Sequence, residues 1–103
     1  MKKASKHDSD KVRFELLDSY ALEEIAKVFT FGARKYSDHN WRGGLKYSRL
    51  FGALMRHCWA WFRGEDKDFE TGISHLAHAG CCIIMLLWTE KHKKSLDDRF
   101  KGL

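Results

Sequence analysis

Between Gly72 and Lys91 the chain carries apolar side chains around the whole circumference of a helix. Ile73, Leu76, Cys81, Ile83, Ile84, Leu86, Leu87 and Trp88 leave it no polar face. Such a helix is tolerated only between other helices or at an interface between copies of the chain. This one segment predicts an all-α protein in which it is a buried core helix, while the helix before it, apolar on nearly all sides, is expected to be the central one. The sequence has no proline, so nothing in it removes a backbone donor or forces a kink. Its longest apolar run, residues 79–88, is shorter than the roughly 20 residues that span a bilayer, which predicts a core helix and no membrane partner.

Two further helices flank it in the sequence. From Ser19 onward, Leu22, Ile25, Val28 and Phe29 recur at spacings of three and four, with Asp18 or Ser19 as N-cap and Glu23 and Glu24 near the positive end. A second helix is expected from Ser48, its cap, through Arg63, closed by Gly64. On it Leu50, Leu54, His57 and Trp61 form one stripe, with Phe51, Cys58 and Phe62 on the next. Thr71 or Asp68 starts the third.

Residues 1–18 read as a polar arm in which Val12, Phe14 and Leu16 alternate with charged residues, as in a short extended segment packing on the body. Residues 92–103 read as a charged tail that extends the third helix or adds a short fourth. The expectation is a single all-α domain over residues 1–103, a three-to-four-helix bundle. At 103 residues, with one helix apolar all round, it is expected to assemble as a dimer or tetramer.

The net charge of +5 comes largely from the ends: Lys2, Lys3, Lys6 and Lys11 at one, Lys91, Lys93, Lys94, Arg99 and Lys101 at the other. That balance favours an anionic partner, whether nucleotide or nucleic acid, without choosing between them. No apolar region follows the basic N-terminus, so no signal peptide is read there. Cys58, Cys81 and Cys82 form no even framework and read as reduced thiols. The expected location is the cytoplasm.

The chemistry is concentrated from Met55 to His78. Glu65, Asp66, Asp68 and Glu70 crowd into six residues, and would repel one another unless solvated or neutralised by a cation. Oxygen ligands at that density suit Mg²⁺ or Mn²⁺, with phosphate oxygens completing the shell. The plainer alternative is an exposed loop in which Asp68 and Glu70 cap the third helix. The spacing is not that of a calcium-binding EF-hand loop. His75 and His78, three apart, project from one helical face. They can coordinate a metal, hold a phosphate or act as base and acid, or be core histidines bonded to backbone or to the nearby acids. His57 is placed to face the same cleft.

His75, His78 and Cys82 also share a face, but no recognised zinc spacing is present. Arg56, about 100° away from His57, and Arg63 are candidates for phosphate, since guanidinium binds it bidentately. The turn-rich segment S-D-H-N-W-R-G-G-L-K at residues 37–46 carries Trp41, either a plug on the core or a wall against a base or sugar.

Four stretches together resemble a known family: A-L-E-E-I-A-K-V-F-T-F-G-A-R-K-Y at 21–36, N-W-R-G-G at 40–44, Y-S-R-L-F-G-A-L-M-R-H at 47–57, and W-F-R-G-E-D-K-D-F-E-T-G-I-S-H-L-A-H-A at 61–79. The family is that of phage dATP/dGTP diphosphohydrolase N-terminal domains, associated with the MazG-like all-α nucleotide pyrophosphohydrolases. The resemblance implies a helical domain that binds a deoxynucleoside triphosphate with a divalent metal and cleaves between the α and β phosphates. It implies Lys35, Arg42, Arg56 and Arg63 as phosphate ligands, and Trp41 or Tyr36 as stacking partners for the base. Asn40 and Trp61 join the nucleotide-contacting candidates. The catalytic candidates are His57, Glu65, His75 and His78, and the metal candidates Glu65, Asp66, Asp68 and Glu70.

The chain departs from the MazG-like pattern where E-x-x-E and E-x-x-D are expected. It offers His57 and the pair His75 and His78 there, and Asp10 stands where a glycine is usual. A non-catalytic protein that sequesters a nucleotide signal is therefore the second expectation. A small basic nucleic-acid-binding module is the third.

Overall fold

The computed structural model describes residues 3–5 and 9–102. Its architecture is three helices, α1 (Ser19–Lys35), α2 (Tyr47–Phe62) and α3 (His75–His92), with single 3₁₀ turns at Phe14–Leu16, Asn40–Gly43 and Lys94–Leu96. No strand forms among the described residues; a lone bridge between Lys67 and Ser74 pins the loop that joins α2 to α3. Lys2, Lys6 and Leu103 lie outside the described residues.

Helix α3 is the hub. It packs along α2 and, less extensively, along α1, whereas α1 and α2 hardly touch each other. The reason lies in the side chains it turns to its neighbours. Its buried apolar positions are all small, namely Ala77, Ala79, Cys81 and Cys82, and small side chains let helix axes come close. At Gly80 the approach is closest: a β-carbon there would lie 2.6 Å from Ile25 Cδ1. Val28, Ala77 and Cys81 form the inner core, with Ile25, Phe29, Ile73 and Met85 packed against it.

The large residues of α3 go elsewhere. Leu76, Ile83 and Leu87 are 49%, 47% and 62% exposed. At 100° per residue they share a stripe on the side of α3 away from His78. Phe51, Met55, Trp59 and Phe62 form a corresponding exposed stripe on α2. The apolar circumference thus divides into buried small residues, the half-buried Met85, Leu86 and Trp88, and an uncovered stripe of Leu76, Ile83 and Leu87.

Local chemistry sets the helix ends. The Asp18 carboxylate accepts the N–H of Ala21 at 2.8 Å, capping α1. Gly64, at φ 100°, ends α2: its N–H reaches the Trp61 carbonyl (2.9 Å) and that of Glu65 reaches Ala60 (3.0 Å). This is the paired bonding of a left-handed glycine cap.

Four expectations change. Ser48 is not the N-cap of α2. The helix begins at Tyr47, and the Ser48 N–H (2.9 Å) and hydroxyl both donate to the Asp98 carboxylate, which the tail brings back over α2. The tail therefore adds no fourth α-helix. Helix α3 is capped by Ser74, which accepts from Leu76 N–H, while Thr71 and Asp68 organise the loop before it. The arm does not pack on the body either. Leu16 N–H bonds Arg13 O and Arg13 pairs with Glu15, closing the segment into a turn that leaves Val12, Phe14 and Leu16 exposed.

Candidate functional site

Because α1 and α2 are held apart on α3, a cleft of about 1000 Å³ opens between them, with residues 37–42 at its rim. Trp41 stands in its wall, packed on Phe29 (centroids 5.9 Å apart) and edge-on to Trp88 (5.1 Å). It is half-buried and so serves the core and the cleft together. The Arg42 guanidinium lies 4.6 Å from the Trp41 ring and 5.2 Å from that of Trp88. Its Nε donates to His39 Nδ1 at 3.0 Å, a contact made from the left-handed backbone of His39 (φ 59°). The Arg42 Nη groups make no hydrogen bond to the described residues, which leaves their donors free for an anion. Lys35, at the end of α1, meets Glu70 at 3.1 Å, and that hydrogen bond raises its pKa.

The opposite wall is made of imidazoles. His57 comes from α2, and His75 and His78 from the first turn of α3, which the 65–74 loop sets in place by Asp66 O accepting His75 N–H at 3.0 Å. Buried His75 bonds Glu65 Oε2 through Nε2 at 2.6 Å and His57 Nδ1 through Nδ1 at 2.9 Å. A carboxylate only accepts, so His75 Nε2–H donates to Glu65. The Nδ1 lone pair of His75 then accepts from His57 Nδ1–H.

A second chain runs beside the first. Asp68 Oδ1 accepts the N–H groups of Glu70 and Thr71 (both 2.9 Å) and the Thr71 hydroxyl (3.2 Å). Burial works to raise the Asp68 pKa, but these bonds and the neighbouring His78 bring it below the ordinary carboxylate value. An ionised Asp68 takes the hydroxyl proton of Thr71, so His78 Nε2–H donates to Thr71 Oγ1 (2.7 Å) and the Nδ1 lone pair of His78 stays free. His57 and His78 stack at 4.6 Å, their planes 12° apart.

Burial first, then the neighbouring imidazoles, lowers the His57 pKa; burial also lowers that of His78, against the pull of Asp68 and Glu70. Both are neutral near pH 7. Their folded pKa values lie below the 6.5 of the free side chain, so the unfolded chain binds more protons. Their contribution to stability is present above pH 6.5 and is lost as pH falls through the folded values. Asp68, Glu70, His75 and Arg56 are the charged or titratable groups acting on the pair. The melting temperature, followed by circular dichroism from pH 7.5 to 5 without metal, is expected to fall on acidification. The fall should be shallower in His57→Asn, and an unchanged melting temperature across that range would contradict the assignment.

Of the residues singled out in the sequence, Lys35, Tyr36, Asn40, Trp41, Arg42, His57, Asp68, Glu70 and His78 all line this one cleft. Glu65 and His75 stand behind it and reach it through His57. Arg56 and Arg63 lie on the exposed side of α2, Trp61 is 41% exposed, and the Asp66 side chain is in solvent; none of the four lines the cleft.

The four carboxylates do not converge on a point. Glu65 bonds the far nitrogen of His75, Glu70 pairs with Lys35, Asp66 faces outward, and Asp68 turns to Thr71 beside His78. They do not form an oxygen cage for Mg²⁺ or Mn²⁺. His39 and Trp88, which hold Arg42, carried no signal of their own in the sequence. Thr71 stood out in the sequence only as a helix-start residue, and its bond to His78 comes from the loop before α3.

A sequence profile described as dATP/dGTP diphosphohydrolase, N-terminal, matches residues 1–99. A dATP/dGTP diphosphohydrolase of Salmonella phage PMBT28 is 37% identical over 94 residues, which are 91% of this chain and 32% of that protein. The chain thus spans about a third of the length of that relative. No solved structure matches it. No helix of the described residues is long and apolar enough to cross a membrane.

Proposed function

The chain belongs to the dATP/dGTP diphosphohydrolase N-terminal family, and on that premise we propose that it binds a deoxynucleoside triphosphate in the cleft and hydrolyses it to the monophosphate and pyrophosphate. The observation that carries this reading is the convergence of Arg42 and Lys35 on one wall with His57, His78 and Asp68 on the other. The cations hold the phosphate chain and stabilise the charge that develops on the leaving pyrophosphate. Trp41 and Tyr36 cover the base. His78, oriented by Thr71 and Asp68, takes the proton of the attacking water at Nδ1, while Glu65 and His75 hold His57 in place. Mg²⁺ or Mn²⁺ enters this reading as the companion of the triphosphate substrate.

A second reading uses the same cleft without turnover: the protein sequesters a nucleotide. It is favoured by the scattering of the loop carboxylates. Incubation with dATP, dGTP and a panel of cyclic nucleotides, with Mg²⁺ present, separates the two. Pyrophosphate release supports hydrolysis, whereas tight binding with full recovery of intact ligand after denaturation supports sequestration. Arg42→Ala is expected to weaken nucleotide affinity by about tenfold or more, in the range of one charge-assisted contact, with helix content unchanged by circular dichroism. Wild-type affinity in that variant would remove Arg42 from the site. The exposed apolar stripes of α2 and α3 support assembly as a dimer or tetramer.

A further inference from the structure

We propose that His57, His75 and Asp68 form a site for one divalent first-row transition ion, which this chain prefers over Mg²⁺. The inference rests on the nucleotide-hydrolysis reading only for its purpose, since the site stands on its own geometry. One ligand atom from each of the three residues lies within 4.8 Å of the other two, and the three come from α2, α3 and the loop between them. His57 Nδ1 and His75 Nδ1 face each other at 2.9 Å. Metal–nitrogen bonds of about 2.1 Å set two neighbouring donors of an octahedron about 3.0 Å apart. The separation therefore already matches one octahedral edge, and a metal ion entering here displaces the proton that the two nitrogens share.

The surroundings are those of a built ligand set. Glu65 accepts from the far nitrogen of His75 at 2.6 Å, the carboxylate–histidine–metal arrangement that orients a ligating ring and raises its basicity. The His57 ring is fixed by stacking on His78. Asp68 is held through Oδ1 by Glu70 and Thr71, leaving Oδ2 to turn to the ion. Two imidazoles and one carboxylate suit Mn²⁺, Co²⁺, Ni²⁺ or Zn²⁺, whereas Mg²⁺ takes oxygen donors. The three remaining positions of such an ion are left for phosphate oxygens and water from the cleft. The displacement of the acids out of a common loop cage and the appearance of histidines on the facing helices then have one explanation: the ligand set has shifted from oxygen toward nitrogen.

The test is metal binding by the full chain, freed of metal by chelator and without nucleotide. Co²⁺ titration is followed by visible absorption, with Mg²⁺ as competitor and metal content measured after dialysis. One Co²⁺ per chain is expected, displaced by Mg²⁺ only at a hundredfold or greater excess. His57→Asn and Asp68→Asn should abolish the Co²⁺ spectrum, Glu65→Gln should weaken binding 10–100-fold, and Asp66→Asn should leave it unchanged. His75 is buried, so its part is read in the wild-type fold: ¹⁵N shifts of the imidazoles on adding Zn²⁺ should move at Nδ1 of His57 and His75. No bound transition ion, equal competition by Mg²⁺, or an unaltered spectrum in His57→Asn would overturn the site. Hydrolysis with Mg²⁺ alone and no transition ion bound would sink this site and spare the proposed function. A bound ion with no turnover of any nucleotide would do the reverse.

Discussion

Replacing Gly80 with valine is expected to destabilise the protein by about 3 kcal/mol, in the upper range of overpacked core substitutions. Glycine in the middle of a helix is ordinarily a defect, about 1 kcal/mol worse than alanine. Here it is required by α1, because a β-carbon would lie 2.6 Å from Ile25 Cδ1 and 3.0 Å from its Cγ1. Valine adds two further carbons at the same crossing. The cause can be isolated by a double-mutant cycle in urea. In an Ile25→Ala background the obstruction is gone, so Gly80→Ala should there become stabilising, by up to about 1 kcal/mol from helix propensity alone. If Gly80→Val is equally harmful with Ile25 present or removed, the α1–α3 crossing is not what the glycine serves.

The second large effect concerns assembly. Phe51, Trp59 and Phe62 on α2 are 55%, 52% and 73% exposed, and Ile83 and Leu87 on α3 are similarly open. The direction of winding in two antiparallel helices places Phe51 and Phe62 on the same side of the α2–α3 pair as Ile83 and Leu87, opposite the cleft. Exposed apolar side chains gathered on one face are the kind of surface that takes a partner, and the two-fold pairing with a second copy that we propose would cover it on both chains at once. Sedimentation is expected to show a dimer or tetramer at micromolar concentration. Ile83→Glu combined with Leu87→Glu should shift it to monomer, because each carboxylate would otherwise lose its water at the interface. The cleft is on the other side, so nucleotide affinity should survive unless a partner completes the site. A wild-type chain that sediments as a monomer at tens of micromolar would sink the pairing.

How much of this was legible in the sequence follows from how local each cause is. Helix α1 was readable because Leu22, Ile25, Val28 and Phe29 declare their period within eight residues and Asp18 caps within the same turn. Gly64 was readable for the same reason. The cap on Ser48 was not, because its partner, Asp98, lies 50 residues away. The acid-rich loop was visible as a composition, but its four carboxylates look like one site only until the chain is folded. Glu65 is turned to His75 by the Schellman turn at Gly64, while Glu70 is drawn to Lys35 on another helix. The imidazole cluster was half legible. The spacing of His75 and His78 is a property of one helix, whereas the Nδ1 to Nδ1 contact of His57 with His75 depends on how α2 and α3 are rotated about their axes. Arg56 and Arg63 show the opposite limit: charge and neighbourhood in sequence say nothing of which side of α2 they occupy.

The hub position of α3 also sets an order of assembly. The two helices that precede α3 in the chain have almost no contact with each other, so this core cannot be built before α3 is present. The α2–α3 hairpin, joined by a short loop already pinned by local hydrogen bonds, has the smaller loop to close and is the natural nucleus. Helix α1 must wait as an unpartnered segment until α3 exists. It then docks across the far side of α3 through Val28 and Ile25, and the cleft is formed last, at the moment of that docking.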